Sequence, residues 1–190
     1  MLSEASVHGR FQPFHNGHLQ YVLAAKRLCN FLWIGITNFD IGPGAANPKA
    51  RARQRPENNP LSYFERISII KAVLQDEGIG AHEFGFVPFP IETPDRLSQF
   101  LPISVRCLTT ICEPWNREKL GILREVGYKV EVLWEGPKPF SGTDVRNDLR
   151  TGGSSWESWV PPATVRAMKN LDIKTRLANQ VLMSAKFSSE

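Results

Sequence analysis

Short apolar runs alternate along this chain with longer stretches in which apolar residues return every three or four positions, and that alternation predicts an order of strands and helices. A first strand is expected over residues 5–11. It leads into a helix over 17–30, where Leu19, Val22, Leu23, Ala25 and Cys29 fall at helical spacing on one face. The next run, FLWIGIT over 31–37, is short, apolar and rich in aromatic and β-branched residues, as a strand buried on both faces should be. Strand, crossover helix and strand make a βαβ unit.

Residues 38–60, NFDIGPGAANPKARARQRPENNP, have no periodicity that would bury anything and read as a long surface loop. Ser62-Tyr63-Phe64-Glu65 matches a capping box, and Phe64, Ile67, Ile70, Val73 and Leu74 predict the buried stripe of a helix ending near Gly78. Further strands are expected at 84–89, 105–111 and 129–134, with a helix over 116–126 before the last. Five strands interleaved with helices imply a Rossmann-like, doubly wound parallel sheet. From Gly142 onward the chain reads as a helix, the segment TGGSSWESWVPP and closing helices over 163–187. There is no internal repeat, so the expectation is one domain over 1–190: an α/β core to residue 140 and a helical extension over 141–190.

Composition adds limits rather than chemistry. A chain of 190 residues, 42% hydrophobic and 22% charged, is long enough for one substantial core. No apolar run approaches membrane-spanning length, and MLSEASVHGRF lacks the basic and apolar regions of a signal peptide, so a cytoplasmic protein with no membrane partner is expected. Three cysteines without a CxxC imply thiols rather than a disulfide framework or a zinc site. The net charge of +4 suits an anionic ligand but falls short of a polybasic nucleic-acid binder, and no nucleic-acid partner is expected.

The candidate chemistry begins at the end of the first strand, with GRFQPFHNGH over residues 9–18. Two of the four histidines, His15 and His18, flank an Asn-Gly where a loop would feed a helix. In open α/β sheets ligands bind at such strand ends, and helix N-terminal amides carry partial positive charge. Gly17 would let a phosphate approach the backbone. The segment is neither a GxxxxGK[ST] loop nor a GxGxxG fingerprint. A zinc site would need a third ligand from His8, His82 or scattered cysteines and carboxylates, and no metal ligand is assigned. Later, FSGTDVRNDLRTG (140–152) offers Ser141 as the cap of a helix starting at Gly142, with Thr143 and Arg146 able to reach phosphate oxygens.

These two segments resemble the signatures of the HxGH nucleotidylyltransferase superfamily. GRFQPFHNGH is similar to nicotinamide mononucleotide (NMN) adenylyltransferases of the archaeal type, and FSGTDVR resembles their ISSTxxR segment, in the expected order. NNPLSYFER, REVGYKVEV and SSWESWVPPATV extend the likeness over most of the chain. The resemblance implies attack by an acceptor oxygen on the α-phosphorus of a nucleoside triphosphate, with pyrophosphate leaving and Mg2+ bridging the phosphates. It implies catalytic roles for His15, His18 and Arg146. It also implies nucleotide or substrate contacts from Gly9, Arg10, Phe11, Gln12, Gly17, Thr37, Asn38, Ser141, Gly142 and Thr143. Assembly into a homo-oligomer stays open.

Three departures concern the acceptor. The family's tryptophan after the third strand is missing from residues 88–102, although Phe100 could take part of its role. The Gly-Ser-Ala turn after the second strand is here Gly35-Ile36-Thr37-Asn38. The following loop carries Lys49, Arg51, Arg53 and Arg55 where the family has one phosphate-binding arginine, with Arg53 and Arg55 as candidates. Losing a stacking platform while adding cations favours a small, charged acceptor. The expected activity is therefore transfer of a nucleotidyl group from CTP or ATP to a small phosphate or phosphonate, and the style of this loop resembles cytidylyltransferases of phosphonate metabolism, which implies that activity most of all. The alternative is a true NMN adenylyltransferase. A binding domain without catalysis fits less well because both histidines, Thr143 and Arg146 are present, and an RNA-binding role lacks a KMSKS segment.

Overall fold

A computed structural model describes residues 1–40 and 55–187. In chain order its first elements are β1 (Leu2–Gly9), α1 (Asn16–Lys26), β2 (Cys29–Ile36), α2 (Tyr63–Asp76), β3 (Phe84–Pro88), β4 (Arg106–Ile111) and α3 (Pro114–Glu125). They are followed by β5 (Val130–Glu135), α4 (Gly142–Thr151), α5 (Trp156–Trp159), α6 (Pro162–Asn170) and α7 (Ile173–Phe187). Two compact units emerge: Met1–Arg10, Gly17–Phe39 and Gly78–Pro139 make the first, and Phe11–Asn16, Asp40–Glu77 and Phe140–Glu190 the second.

The first unit is built on a five-stranded parallel sheet of order β3-β2-β1-β4-β5, a Rossmann-like α/β arrangement. The order reverses between β1 and β4, so their carboxyl ends flank the topological switch point. β1 is the central strand, and Ala5, Ser6, Val7 and His8 are buried along it. In register, His8 lies opposite Gly35 of β2, and Ser6 opposite Cys107 of β4. α1 buries Tyr21, Val22 and Ala25, and the Tyr21 hydroxyl ties it to the sheet by donating to the Leu108 carbonyl and accepting from the His8 N–H. Phe89, Leu97, Leu101, Val105, Cys107, Leu123 and Tyr128 form a buried cluster. Three of these come from residues 89–101, where a short 3-10 helix (Pro94–Gln99) follows β3.

Several boundaries expected from periodicity shift, most of all in the first strand, which begins at Leu2, and in the first helix. The first strand ends at Gly9 instead of Phe11, because Phe11 takes a left-handed backbone (φ 51°) that turns the chain out of the sheet. The first helix ends at Lys26, and Cys29 opens β2, where it is 1% exposed.

The second unit is helical. Its α2 begins with the capping box read from the sequence: Glu65 N–H donates to Ser62 Oγ (3.2 Å) and Ser62 N–H to Glu65 Oε2 (2.7 Å). The buried stripe, however, is Arg66, Ile69, Ile70, Val73 and Leu74, while Phe64 is 73% exposed. Ile70, Val73 and Leu74 belong to both readings, so period alone could not decide between a stripe starting at 64 and one starting at 66. What decides it is packing: Glu65 is turned to Arg176 of α7, whose guanidinium bonds both carboxylate oxygens (2.8 and 2.9 Å). Arg166 of α6 pairs with Asp76 at the other end of α2 (2.9 Å). The segment TGGSSWESWVPP contains α5, whose Trp156 is buried and whose Trp156 N–H donates to Asp148 on α4.

Candidate active site

The loop that leaves β1 is shaped mainly by its own side chains. Thr37 N–H donates to the Gly9 carbonyl (3.0 Å), and beyond that bond the chain turns. A bulky residue in the left-handed region costs about 1–3 kcal/mol, and Phe11 is held there by burial, its ring 5.6 Å from that of Phe14, with both rings 1% exposed.

Within the second unit, residues 11–16 meet the start of α4. The Gln12 side chain is clamped to the backbone of Leu61: Nε2 donates to the carbonyl (2.7 Å), and Oε1 accepts from the N–H (3.0 Å). Its amide therefore serves the loop's shape. The Gln12 carbonyl accepts a hydrogen bond from Arg146, which also donates to Asn58 Oδ1 (3.3 Å) and Thr143 Oγ1 (3.1 Å) and is 1% exposed. Gly142 lies against the same carbonyl, since a Cβ there would stand 2.7 Å from the Gln12 oxygen. Ser141 caps α4 as its sequence position suggests, accepting from Asp144 N–H (3.4 Å), while Asp144 accepts from Ser141 N–H (2.7 Å). Thr143, in the first turn, is exposed.

His15 belongs to the same unit. It is 2% exposed, with its ring edge-on to Phe140 at 5.6 Å, and Phe140 stacks on Trp159 at 6.0 Å. Asn16 Nδ2 donates to the Ser158 carbonyl (3.0 Å), fastening Asn16 to α5. His15, Gln12, Ser141, Gly142, Thr143 and Arg146 are thus brought together, with Trp159 as a neighbour and with Phe140 and Asn58 as neighbours that sequence reasoning did not single out.

In the first unit, Gly9 and Arg10 stand at the end of β1, Gly17 and His18 in the first turn of α1, and all four are half-buried. Thr37 and Asn38 follow β2 and are buried, Asn38 with a left-handed backbone (φ 47°) that asparagine tolerates. Phe100 packs against Phe39 (5.9 Å between centroids). Arg55 is exposed, 3.9 Å from Glu57. Arg53, with Lys49 and Arg51, lies outside the described residues.

The unit also holds a histidine that the sequence reading weighed only as a poor zinc ligand. His8 is 4% exposed and lies parallel to the Phe89 ring, 4.4 Å between centroids and 3° between planes. Burial and the nearby positive charge of Lys119 hold its pKa well below the usual imidazole value. The only available signal was a polar residue at an alternating position of a buried strand.

Among the described residues, no group of three His, Cys, Asp or Glu side chains could hold a metal ion, and no helix is long and apolar enough to cross a membrane. In the second unit, a capped helix start and the buried imidazole of His15 offer groups suited to phosphate oxygens.

Comparison with known proteins agrees with that chemistry. A family model described as cytidylyltransferase-like matches residues 7–148. The chain is 37% identical over 172 residues to the phosphonoformate cytidylyltransferase of Streptomyces viridochromogenes, covering 90% of this chain and 93% of that protein. It is 30% identical over 176 residues to the nicotinamide-nucleotide adenylyltransferase of Ignicoccus hospitalis, covering 89% and 92%. Among solved structures, it is similar in fold to a bifunctional NMN adenylyltransferase/ADP ribose pyrophosphatase of Francisella tularensis, complexed with AMP and a manganese ion. The TM-score is 0.68 at 19% identity, covering 98% of this chain and 55% of that one.

Proposed function

We infer the reaction from the premise that the family match establishes: this chain belongs to the cytidylyltransferase-like family, and it is a nucleotidyltransferase. Within that family we assign it transfer of a cytidylyl group from CTP to an oxygen of a small phosphonate, with release of pyrophosphate. The observation that carries the assignment is the bond from Arg146 to the Gln12 carbonyl, with Gly142 against the same oxygen. It supports treating GRFQPFHNGH and SGTDVR as parts of one phosphate-handling device. The choice of cytosine and phosphonate rests on the Streptomyces relative.

In the step itself, an acceptor oxygen forms a bond to the α-phosphorus while the bond from that phosphorus to the oxygen bridging to the β-phosphate breaks. The electron pair leaves with pyrophosphate. A phosphonate oxygen is already anionic at neutral pH, so catalysis needs positioning and charge stabilisation more than a base. His18 donates to the α-phosphoryl oxygens as charge develops there. His15, its ring oriented by Phe140, holds the β- and γ-phosphates. Arg10, Ser141, Thr143 and the first amides of α4 supply further donors, and Gly9 and Gly17 leave room at the backbone. Arg146 keeps Thr143 and the Gln12 backbone in place and adds positive charge beside them. Thr37 and Asn38 line the acceptor side, and Arg53 and Arg55 are the loop cations offered to anionic substrate.

A divalent cation, Mg2+ by preference, would supply charge neutralisation of the nucleotide's phosphates when bound with it. Its ligands would come mainly from phosphate oxygens and water, which Mg2+ at triphosphates usually keeps.

Pyrophosphate release, measured with Mg2+ for each of the four nucleoside triphosphates against NMN, nicotinate mononucleotide and a panel of small phosphates and phosphonates, tests the assignment. Turnover confined to CTP and a small phosphonate is the expected result. The adenylyltransferase relatives favour a second reading, ATP with NMN, and turnover of that pair would replace the first.

A further inference from the structure

We propose that His8 and Lys119 form the part of the acceptor pocket that recognises a second anionic group on the phosphonate, which makes His8 a specificity-determining residue. The inference rests on the reading above.

The first observation is an unmet need. His8 is 4% exposed, yet neither of its ring nitrogens has a hydrogen-bond partner among the described residues. Burying a polar group without a partner costs about 1–3 kcal/mol. Its neighbours in the unit do not bear that cost: Ser6 Oγ donates to Cys107 Sγ, and the Tyr21 hydroxyl donates to the Leu108 carbonyl. The imidazole is the exception on β1, and it stands one residue before the strand's last, where the sheet reverses order and ligands of such folds bind.

The second observation is that the ring is held in one plane. It stacks flat on Phe89, and Phe89 lies there because the residue opposite His8 in β2 is Gly35. A Cβ at Gly35 would stand 2.5 Å from Phe89 Cδ2. The missing side chain makes the slot, Phe89 fills it, and the imidazole's N–H and lone pair are left with fixed directions. Preorganised polar groups of this kind are what a binding site requires.

The third observation is charge. Lys119 of α3 is buried, lies 5.3 Å from the centroid of Trp115, and acts electrostatically on both His8 and Cys107. A buried ammonium whose charge reaches the imidazole favours an anion over a cation. Neither residue belongs to the two phosphate segments at 9–18 and 141–146. The reacting phosphonate must sit at the α-phosphorus, so a further anion-recognising point fits an acceptor with a second anionic group, such as a carboxylate. NMN, whose one phosphate is the reacting group and whose base carries an amide, has no second anion to place there.

His8→Phe keeps an aromatic ring on Phe89 and removes both nitrogens. With phosphonoformate as probe, the expected result is a rise of at least about tenfold in its KM, with the KM for CTP unchanged and the preference for phosphonoformate over methylphosphonate lost. Unchanged acceptor KM and preference would overturn the proposal. A direct measurement on the unmodified chain decides the case where the variant does not fold. Nitrogen-15 NMR of labelled histidines, assigned with His15→Asn, His18→Asn and His82→Gln, is followed as phosphonoformate is added without nucleotide. Movement of the His8 ring signals supports the proposal, and none at saturating concentration overturns it. If no acceptor is turned over at all, the assigned reaction fails while this spectrum still decides the role of His8.

Discussion

Arg146 donates a hydrogen bond to the backbone carbonyl of Gln12, 134 residues earlier in the chain. A buried guanidinium with one fork on a carbonyl and another on Asn58 and Thr143 cannot be replaced by a single ammonium without losing a partner. Arg146→Ala is expected to cost about 2–4 kcal/mol of stability and to lower kcat/KM by more than about a hundredfold. Arg146→Lys should fall between, and a Lys variant with the original rate would show that the fork is not needed. Urea unfolding and pyrophosphate release measure the two effects.

Gly142 owes its identity to the same carbonyl rather than to an unusual backbone angle. In Gly142→Ala the new Cβ would meet the Gln12 oxygen at 2.7 Å, and both partners are backbone, so α4 or the loop must move. A loss of about 1–3 kcal/mol and of at least about tenfold in kcat/KM is expected. Serine should behave likewise. An alanine variant with unchanged kinetics would mean that the approach does not matter to the reaction.

His18 is only half-buried: it stands in the first turn of α1, at the open end of the face that carries the buried Tyr21, Val22 and Ala25, where truncation removes little packing. His18→Ala should therefore leave the melting temperature within a few degrees while kcat drops about 10²–10⁴-fold. Near-normal turnover would end the catalytic assignment.

The pair Glu65–Arg176 couples folding of the helical unit to pH. Burial pushes the Glu65 carboxyl up, but hydrogen bonds from Arg176 and from Ser62 outweigh it and leave the pKa below the ordinary value. A carboxyl lowered by folding adds stability above its unfolded pKa, and that stability disappears as pH falls through the folded one. At pH 7, Glu65→Gln should be less stable than the parent by about 1–2 kcal/mol, and the gap should close below about pH 4. Unfolding curves at several pH values check the sign, and a gap that persists at low pH would assign the loss to packing.

Removal of divalent cations should stop turnover and Mg2+ should restore it, because the nucleotide's phosphates need neutralising. The melting temperature of the ligand-free protein should not respond to a chelator. A response would point to a metal site built by the chain itself.

Much of the fold was legible because it rests on local period and local chemistry. FLWIGIT could hardly be anything but a buried strand, Ser62 and Glu65 cap a helix as their spacing suggests, and Ser141 caps the helix that begins at Gly142. The two segments proposed for phosphate stood out for the same reason, being short and contiguous. Other features were not. Residues 89–101 have no strong period, yet they supply Phe89, Leu97 and Leu101 to the core. The inward face of α2 was misjudged at Phe64 because a contact from α7, not period, turns the helix.

The sequence by itself determined the elements, their order and the two segments proposed to handle phosphate, since each follows from side chains within a few residues of one another. Only the tertiary structure decided that β1 is central, that Gln12 shapes its loop through Leu61, that Arg146 reads the Gln12 carbonyl, and that His8 is buried against Phe89. Each of those depends on groups far apart in the chain, and their meeting is set by how strands register and side chains fill space, which no local pattern encodes.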